Sequence, residues 1–149
     1  MITTKWFEGE QGIEDALYIR TVVFIEEQRV SVEEEMNGTD ENAVHLVVYE
    51  NEVAVATGRI IIENDCFILG RIAVLKEHRG KKLGDLVVRM LIRKAYTMGG
   101  RKQYIHAQIY AKGFYEKLGF EAYGDEYMEV NIPHLSMVHT GDIGGHCGK

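Results

Sequence analysis

Residues 67–98 read FILGRIAVLKEHRGKKLGDLVVRMLIRKAYTM, and this stretch passes through three kinds of structure. Residues 67–75 are mostly apolar and rich in β-branched side chains, as a buried strand requires. From Leu83 the period changes. Leu83, Leu86, Val87, Met90, Leu91 and Ala95 recur at three and four residues, the stripe of a helix packed on a sheet, and Gly99-Gly100 stops it. Between strand and helix lies a basic turn, His78-Arg79-Gly80-Lys81-Lys82. A glycine-containing turn that feeds a helix N-terminus aims several backbone N–H groups at one spot, with the positive end of the helix dipole behind them. Arg79, Lys81 and Lys82 add charge around that spot, and Gly84 lets an anion approach the backbone closely. The pattern points to a pyrophosphate ligand; from these residues alone, a plain exposed turn before a helix is the competing reading. Two familiar phosphate loops do not fit. No Ser or Thr follows as in Gly-x-x-x-x-Gly-Lys-Ser/Thr, and Gly-x-Gly-x-x-Gly is absent.

Upstream, residues 5–7 read as a short strand. Ile13, Ala16, Leu17 and Phe24 follow near-helical spacing, in a helix expected to end near Gln28. An acidic stretch over 33–40 reads as loop, with Asn37-Gly38 at its turn. Residues 44–49 and 53–62 form a hairpin around Glu50-Asn51-Glu52, and 66–75 is the third strand. Downstream come a strand over 104–108, a short helix over 111–118 closed by Gly119, and a last strand over 126–132 that Pro133 ends or edges. The glycine-rich residues 141–149 read as a loosely ordered tail. Three consecutive strands before the long helix predict an α+β fold with a mixed sheet, not a doubly wound parallel one.

The composition agrees. A chain of 149 residues suits one domain with its own core, and 46% hydrophobic with 27% charged residues suits a globular protein. Net charge −6 argues against nucleic acid as partner, since phosphate neutralisation needs surplus Lys and Arg. No apolar run reaches bilayer length, and the first residues lack a signal-peptide core, so a cytoplasmic location without membrane contact is expected. Cys66 and Cys147 are accordingly expected to be reduced, and no Cys-x-x-Cys pair suggests a metal.

The turn resembles the GNAT acetyltransferase signature Arg/Gln-x-x-Gly-x-Gly/Ala, with Arg79 first and Gly84 last, and Lys82 standing where the middle glycine would be. Downstream, Ala111-Lys112-Gly113-Phe114-Tyr115-Glu116-Lys117-Leu118-Gly119-Phe120 resembles the Ala-x-x-Phe-Tyr-x-Lys-x-Gly-Phe segment of the same superfamily. Residues 23–28, 70–74, 106–108 and 132–134 further resemble its ElaA-like branch.

The resemblance implies a mostly antiparallel central sheet flanked by helices, and acetyl-CoA as acyl-donor cosubstrate. It implies a bulged strand whose backbone at Ile72, Ala73 and Val74 pairs with pantetheine. Arg79, Gly80, Lys81, Lys82, Leu83, Gly84 and Asp85 would hold the pyrophosphate, with Ala111 and Phe114 beside the cofactor. Tyr115 is the implied acid for the leaving thiolate, and His134 the implied base, since Phe67-to-Leu75 carries no carboxylate. His106 and Gln108 are candidate acceptor contacts.

Two readings of the acceptor stand side by side: Arg20 and Arg71 suit a carboxylate-bearing substrate, whereas Glu35 and Asp40 suit a polyamine or basic peptide. The expected function is transfer of an acetyl group to an amine of a small molecule or peptide by direct attack, with a homodimer left open. A non-catalytic acyl-CoA-binding module on the same fold is the alternative.

Overall fold

The computed structural model describes residues 1–10, 12–36 and 39–139; the expected tail over 141–149 and the Asn37-Gly38 turn lie outside them. The described strands are β1 (Ile2–Glu8), β2 (Ala43–Glu50), β3 (Val53–Glu63), β4 (Cys66–Val74), β5 (Gln103–Gln108), β6 (Phe120–Glu129) and β7 (Ile132–His139). They make one sheet in the order β1-β2-β3-β4-β5-β7-β6. Every neighbouring pair is antiparallel except β4 and β5. The α+β class and the mixed, mostly antiparallel sheet are therefore as expected.

Helix α1 (Glu14–Arg20) covers one face and runs on as a π-helical segment, Thr21–Glu27. A four-residue helix, α2 (Val32–Glu35), follows, then α3 (Leu83–Thr97) on the opposite face and α4 (Lys112–Lys117) near the end of β5. Among the described residues no helix is long and apolar enough to cross a membrane. Strand periodicity divides the core in two. Leu46 and Val48 of β2 turn to the α3 face, where Val87, Val88, Leu91 and Ala95 are wholly buried. Val47 and Tyr49 turn to the α1 face, with Ala16, Ile19 and Val23. Each such aliphatic side chain contributes roughly 1.5–3 kcal/mol by leaving water. Gly58 of β3 is needed for the α3 contact, because a Cβ there would lie 2.7 Å from Val87 and 2.8 Å from Leu91.

Several expectations need correction. The last strand is two strands: β6 and β7 form a hairpin through Val130 and Asn131, both at positive φ. Pro133 lies inside β7 and does not end it. β5 stops at Gln108, opposite His134, so Pro133 has a strand neighbour on one side only, Met128; a residue without a donor is tolerated there. The acidic stretch contains α2, whose first turn Ser31 caps by accepting a bond from the Glu34 amide at 3.1 Å. Cys66 is disulfide-bonded, against the expectation of a reduced thiol; Cys147 lies outside the described residues.

Two irregularities open the sheet where it matters. In the β3–β4 ladder Thr57 faces Ala73 and Arg59 faces Gly70, so two residues of β4, Arg71 and Ile72, stand against Gly58 alone. That is a β-bulge, with Arg71 at φ 48. A left-handed conformation in a non-glycine residue costs on the order of 1–3 kcal/mol and persists only where its surroundings enforce it. Beyond the bulge the parallel pair comes apart: β4 meets β5 only through Phe67, Ile68 and Leu69. β5 follows β7 while β4 follows β3, leaving a V-shaped opening at their carboxyl ends, where parallel strands commonly receive ligands.

Candidate active site

One arm of the V is the second half of β4. The Leu75 amide donates to the Val55 carbonyl at 2.9 Å, so its neighbour Val74 turns its own backbone groups away from β3, toward the opening. The Val74 carbonyl there accepts from Arg79 Nε at 2.9 Å. From Gly70 to Val74 β4 pairs with no residue of β5. The side chains divide as a strand demands: Ala73 is buried on the α1 face, and Ile72 and Val74 pack against the α3 core.

The turn that follows holds two left-handed residues, Gly80 at φ 86 and Lys82 at φ 65. Lys82 therefore takes up a conformation that glycine adopts without strain, at the position where the family signature carries its middle glycine. No side chain caps the α3 N-terminus, and the first backbone bond of the helix runs from the Leu86 amide to the Lys82 carbonyl at 3.1 Å. The amides of Leu83, Gly84 and Asp85 thus precede the helix's own ladder, and the Asp85 carboxylate turns outward to Arg89 at 2.8 Å. A Cβ on Gly84 would meet only Phe114 at 3.6 Å and Val74 at 3.8 Å, so the protein's own packing does not demand glycine there.

Two of the turn's three cations are already paired. Arg79 grips Glu27 with both terminal nitrogens at 2.8 Å, holding that carboxyl below its usual range. Lys81 reaches Glu50 at 3.0 Å.

The other arm is β5, α4 and β7. Beyond the pairing of β4 with β5 the V deepens into a cleft of about 710 Å³ that brings together Arg71, Ile72, His106, Gln108, Ala111, Tyr115 and His134. Tyr115 is half-buried, edge-on to Phe114 and Phe120 at 5.0 and 5.7 Å between ring centres. Burial, with a smaller contribution from Tyr110, pushes its hydroxyl well above the ordinary tyrosine range, so it stays protonated. His134 is 4% exposed and stacks on Tyr127 with ring centres 6.0 Å apart. Its Nδ1 lies 2.7 Å from the Ile132 carbonyl. A carbonyl can only accept, so Nδ1 carries a proton, and in the neutral ring the lone pair is on Nε2.

Gln28, which follows the π-helical segment, reaches the β5 arm: Gln108 Nε2 donates to its Oε1 at 3.0 Å, and its own amide donates to the Tyr110 hydroxyl at 3.4 Å.

Set against known families, the chain matches the acetyltransferase (GNAT) domain over residues 10–140. It is 35% identical over 132 residues to the uncharacterized N-acetyltransferase YjcF of Bacillus subtilis (strain 168), covering 88% of this chain and 94% of the relative. The chain belongs to the GNAT acetyltransferase family. Its fold is also that of an acyl-CoA N-acyltransferase from Pseudomonas aeruginosa, with a TM-score of 0.85 at 23% identity over 94% of this chain and all of the other. Escherichia coli ElaA is similarly alike, with a TM-score of 0.82 at 24% identity over 93% and 99% of the two chains.

One acceptor candidate is misplaced. Arg20 is 1% exposed and lies outside the cleft lining; its guanidinium binds Glu35 at 2.7 Å, Asp40 at 2.8 Å and the Glu35 carbonyl at 3.0 Å. It builds the cleft floor and does not face a substrate. Glu35 and Asp40, the candidates for a basic acceptor, are buried by the same pairing. Phe114 sits over Gly84, outside the cleft lining. Sequence reasoning missed three residues around this cleft: Gln28, which bonds Gln108 and Tyr110; Glu27, which steers Arg79; and Tyr127, which stacks on His134 and bonds His106 Nδ1 at 2.7 Å. Their hydrogen-bond partners are 21 to 82 residues away, so no local spacing marks them.

Proposed function

We propose that this chain is a single-domain N-acetyltransferase that moves the acetyl group of acetyl-CoA onto an amine without a covalent enzyme intermediate. The observation that carries the reading is the continuity of the unpaired β4 edge with the uncapped α3 N-terminus. The first leaves backbone groups of β4 without a partner in β5, the Val74 amide among them, for the amide-bearing pantetheine arm. The second offers free N–H groups and a positive dipole end, as a pyrophosphate requires. Ile72 and Val74 would hold the arm through their backbone, with Ala73 between them paired to Thr57 of β3. Gly80, Lys81, Lys82, Leu83, Gly84 and Asp85 would hold the phosphates, with Ala111 and Phe114 flanking the cofactor. Arg79 acts on the Val74 carbonyl and Glu27, fixing the turn against the strand.

Acetyl-CoA supplies an activated acyl carbon and a thiolate leaving group. The residues of the chain supply the proton transfers. His134 Nε2 takes a proton from the acceptor ammonium, so that the amine can attack. As the C–S bond breaks, the Tyr115 hydroxyl gives its proton to the departing sulfur, and the attacking nitrogen's second proton, lost as the amide forms, restores the phenol. Histidine suits the first task because a neutral imidazole presents one ring nitrogen as a proton acceptor. The Tyr115 hydroxyl, protonated at working pH and lining the cleft, has a proton to give in the second. Neither described cleft arm presents a cysteine nucleophile, in keeping with direct attack.

The test is thiol release from acetyl-CoA over a panel of amines, run with Tyr115→Phe and His134→Ala beside the parent chain. The expected result is turnover on at least one amine, with kcat lowered in both variants and acetyl-CoA still bound. Unchanged turnover in both variants would remove their assigned roles. Tight coenzyme binding without turnover on any amine would favour a non-catalytic acyl-CoA sensor.

A further inference from the structure

The floor of the cleft carries more positive than negative charge. Arg20, Arg59 and Arg71 converge there on two carboxylates, Glu35 and Asp40. Among the described residues no other carboxylate pairs with these three guanidinium groups. His45, beside Asp40, does not redress the balance: burial pushes it toward its neutral form. Two carboxylates against three guanidinium groups leave one surplus positive charge in a largely desolvated place, where charge interactions are strongest.

The surplus can be located. Arg20 is enclosed and takes both carboxylates at 2.7 and 2.8 Å. Arg59 takes Asp40 at 2.9 Å and is 5% exposed. Arg71 is the most accessible of the three, with 19% of its side chain exposed, and it lines the cleft. Its Nη2 meets only backbone carbonyls, those of Glu34 at 3.4 Å and Glu35 at 3.1 Å. Its Nε lies 3.0 Å from Glu35 Oε2, an oxygen already bonded by Arg20, and makes no hydrogen bond there. Arg71 is also the left-handed residue of the β4 bulge, the kind of backbone irregularity that re-aims a side chain beside a site.

We infer that Arg71 is the acceptor's anchor, and that the acceptor is an amino acid whose carboxylate docks on this guanidinium while its amine faces His134. The inference rests on the acyl-transfer reading for the role of the cleft. Glu33, Glu34, Glu63 and Glu129 at the rim are exposed and water-screened, so they add little binding energy of their own. They do favour approach of an ammonium, which an amino acid also carries. A polyamine would satisfy the rim but bring a like charge to the floor.

The experiment titrates the protein, with and without coenzyme A, with a panel of N-acetyl amino acids and their primary amides. These stand in for product and differ only in the carboxylate. In the parent chain at least one acid should bind about 10- to 100-fold more tightly than its amide, the effect of one charge-assisted contact. Arg71→Gln should reduce that ratio to near one, and Arg71→Lys should keep part of it. The ratio is internal to each protein, so a general loss of stability in a variant does not imitate it. Equal binding of acids and amides, no binding of any acid, or a ratio that survives Arg71→Gln would each overturn the inference. Failure to bind coenzyme A, read in the same titrations, would instead count against the acyl-transfer reading and leaves the acid-to-amide ratio measurable.

Discussion

Asp40→Asn tests how the cleft floor is held. The Asp40 carboxylate accepts from Arg20 at 2.8 Å and from Arg59 at 2.9 Å, with 9% of its side chain exposed. The amide has nearly the same shape, so the change removes charge and leaves packing almost intact. Two buried guanidinium groups would then lose a shared counter-ion. Breaking a buried pair from one side costs about 3–5 kcal/mol, mostly the penalty of the charge left behind. For a chain of this size that corresponds to a fall in Tm of roughly 6–20 °C, at about 2–4 °C per kcal/mol.

The assay is urea unfolding at several pH values, with thermal melting beside it. Burial alone would raise the Asp40 pKa, but hydrogen bonds and charge from Arg20 and Arg59 outweigh it and hold the group below its ordinary range. Its contribution is therefore complete above the unfolded value, about 3.9, and is lost as pH falls through the lower folded value. The gap between parent and variant should be full at pH 7 and close under strongly acid conditions. Adding Arg59→Met to Asp40→Asn should recover part of the loss, because one orphaned charge is removed. A loss under about 1 kcal/mol at pH 7, the size seen for exposed pairs, would refute the account of a desolvated charge network.

Two other predictions concern the chemistry. Tyr115→Phe should lower kcat by about 100- to 10,000-fold, with KM for acetyl-CoA within about twofold. Stability should stay within about 0.5 kcal/mol, since no described group hydrogen-bonds that hydroxyl; an unchanged kcat would show that another donor serves the sulfur. With the hydroxyl held above its ordinary value, kcat should show no tyrosine-dependent decline below about pH 10. Gly84→Ala places a methyl in ordinary contact with Phe114 and Val74, so the unfolding free energy should hold or rise, by at most about 1 kcal/mol of helix propensity. Coenzyme A affinity should nonetheless drop about tenfold, the loss of one amide–phosphate bond; undiminished binding would move the phosphates away from the α3 N-terminus.

Much of the frame was legible because it is written in short periods. The stripe through Leu83, Val87, Leu91 and Ala95 marks α3, and the β-branched runs on either side of Glu50-Asn51-Glu52 mark the β2–β3 hairpin. Arg79 to Gly84 and Phe114-Tyr115 declare the cofactor side by local pattern. What escaped depends on register or on distant partners. The Arg71 bulge exists only in the offset between β3 and β4. The hairpin of β6 and β7 was hidden because β6 itself is irregular: its register slips between Tyr123 and Tyr127, with Gly124 at φ 75.

Two signals were present and misread. Ser31-Val32-Glu33-Glu34 has the spacing of a capping box. Arg20 continues the buried stripe of Ile13 and Ala16 toward Val23, at steps of three and four, so its place in the core was readable from the helical period.

The central claim is that the unpaired β4 edge and the α3 N-terminus form one acyl-CoA site. A residue-resolved NMR titration of backbone amides with coenzyme A tests it most directly, with ATP as control. The account predicts that amides at Ile72, Ala73 and Val74 shift together with those at residues 80–85, and that ATP leaves the β4 amides unmoved because it has no pantetheine arm. Shifts confined to the turn, alike for both ligands, or no shift with coenzyme A, would contradict it.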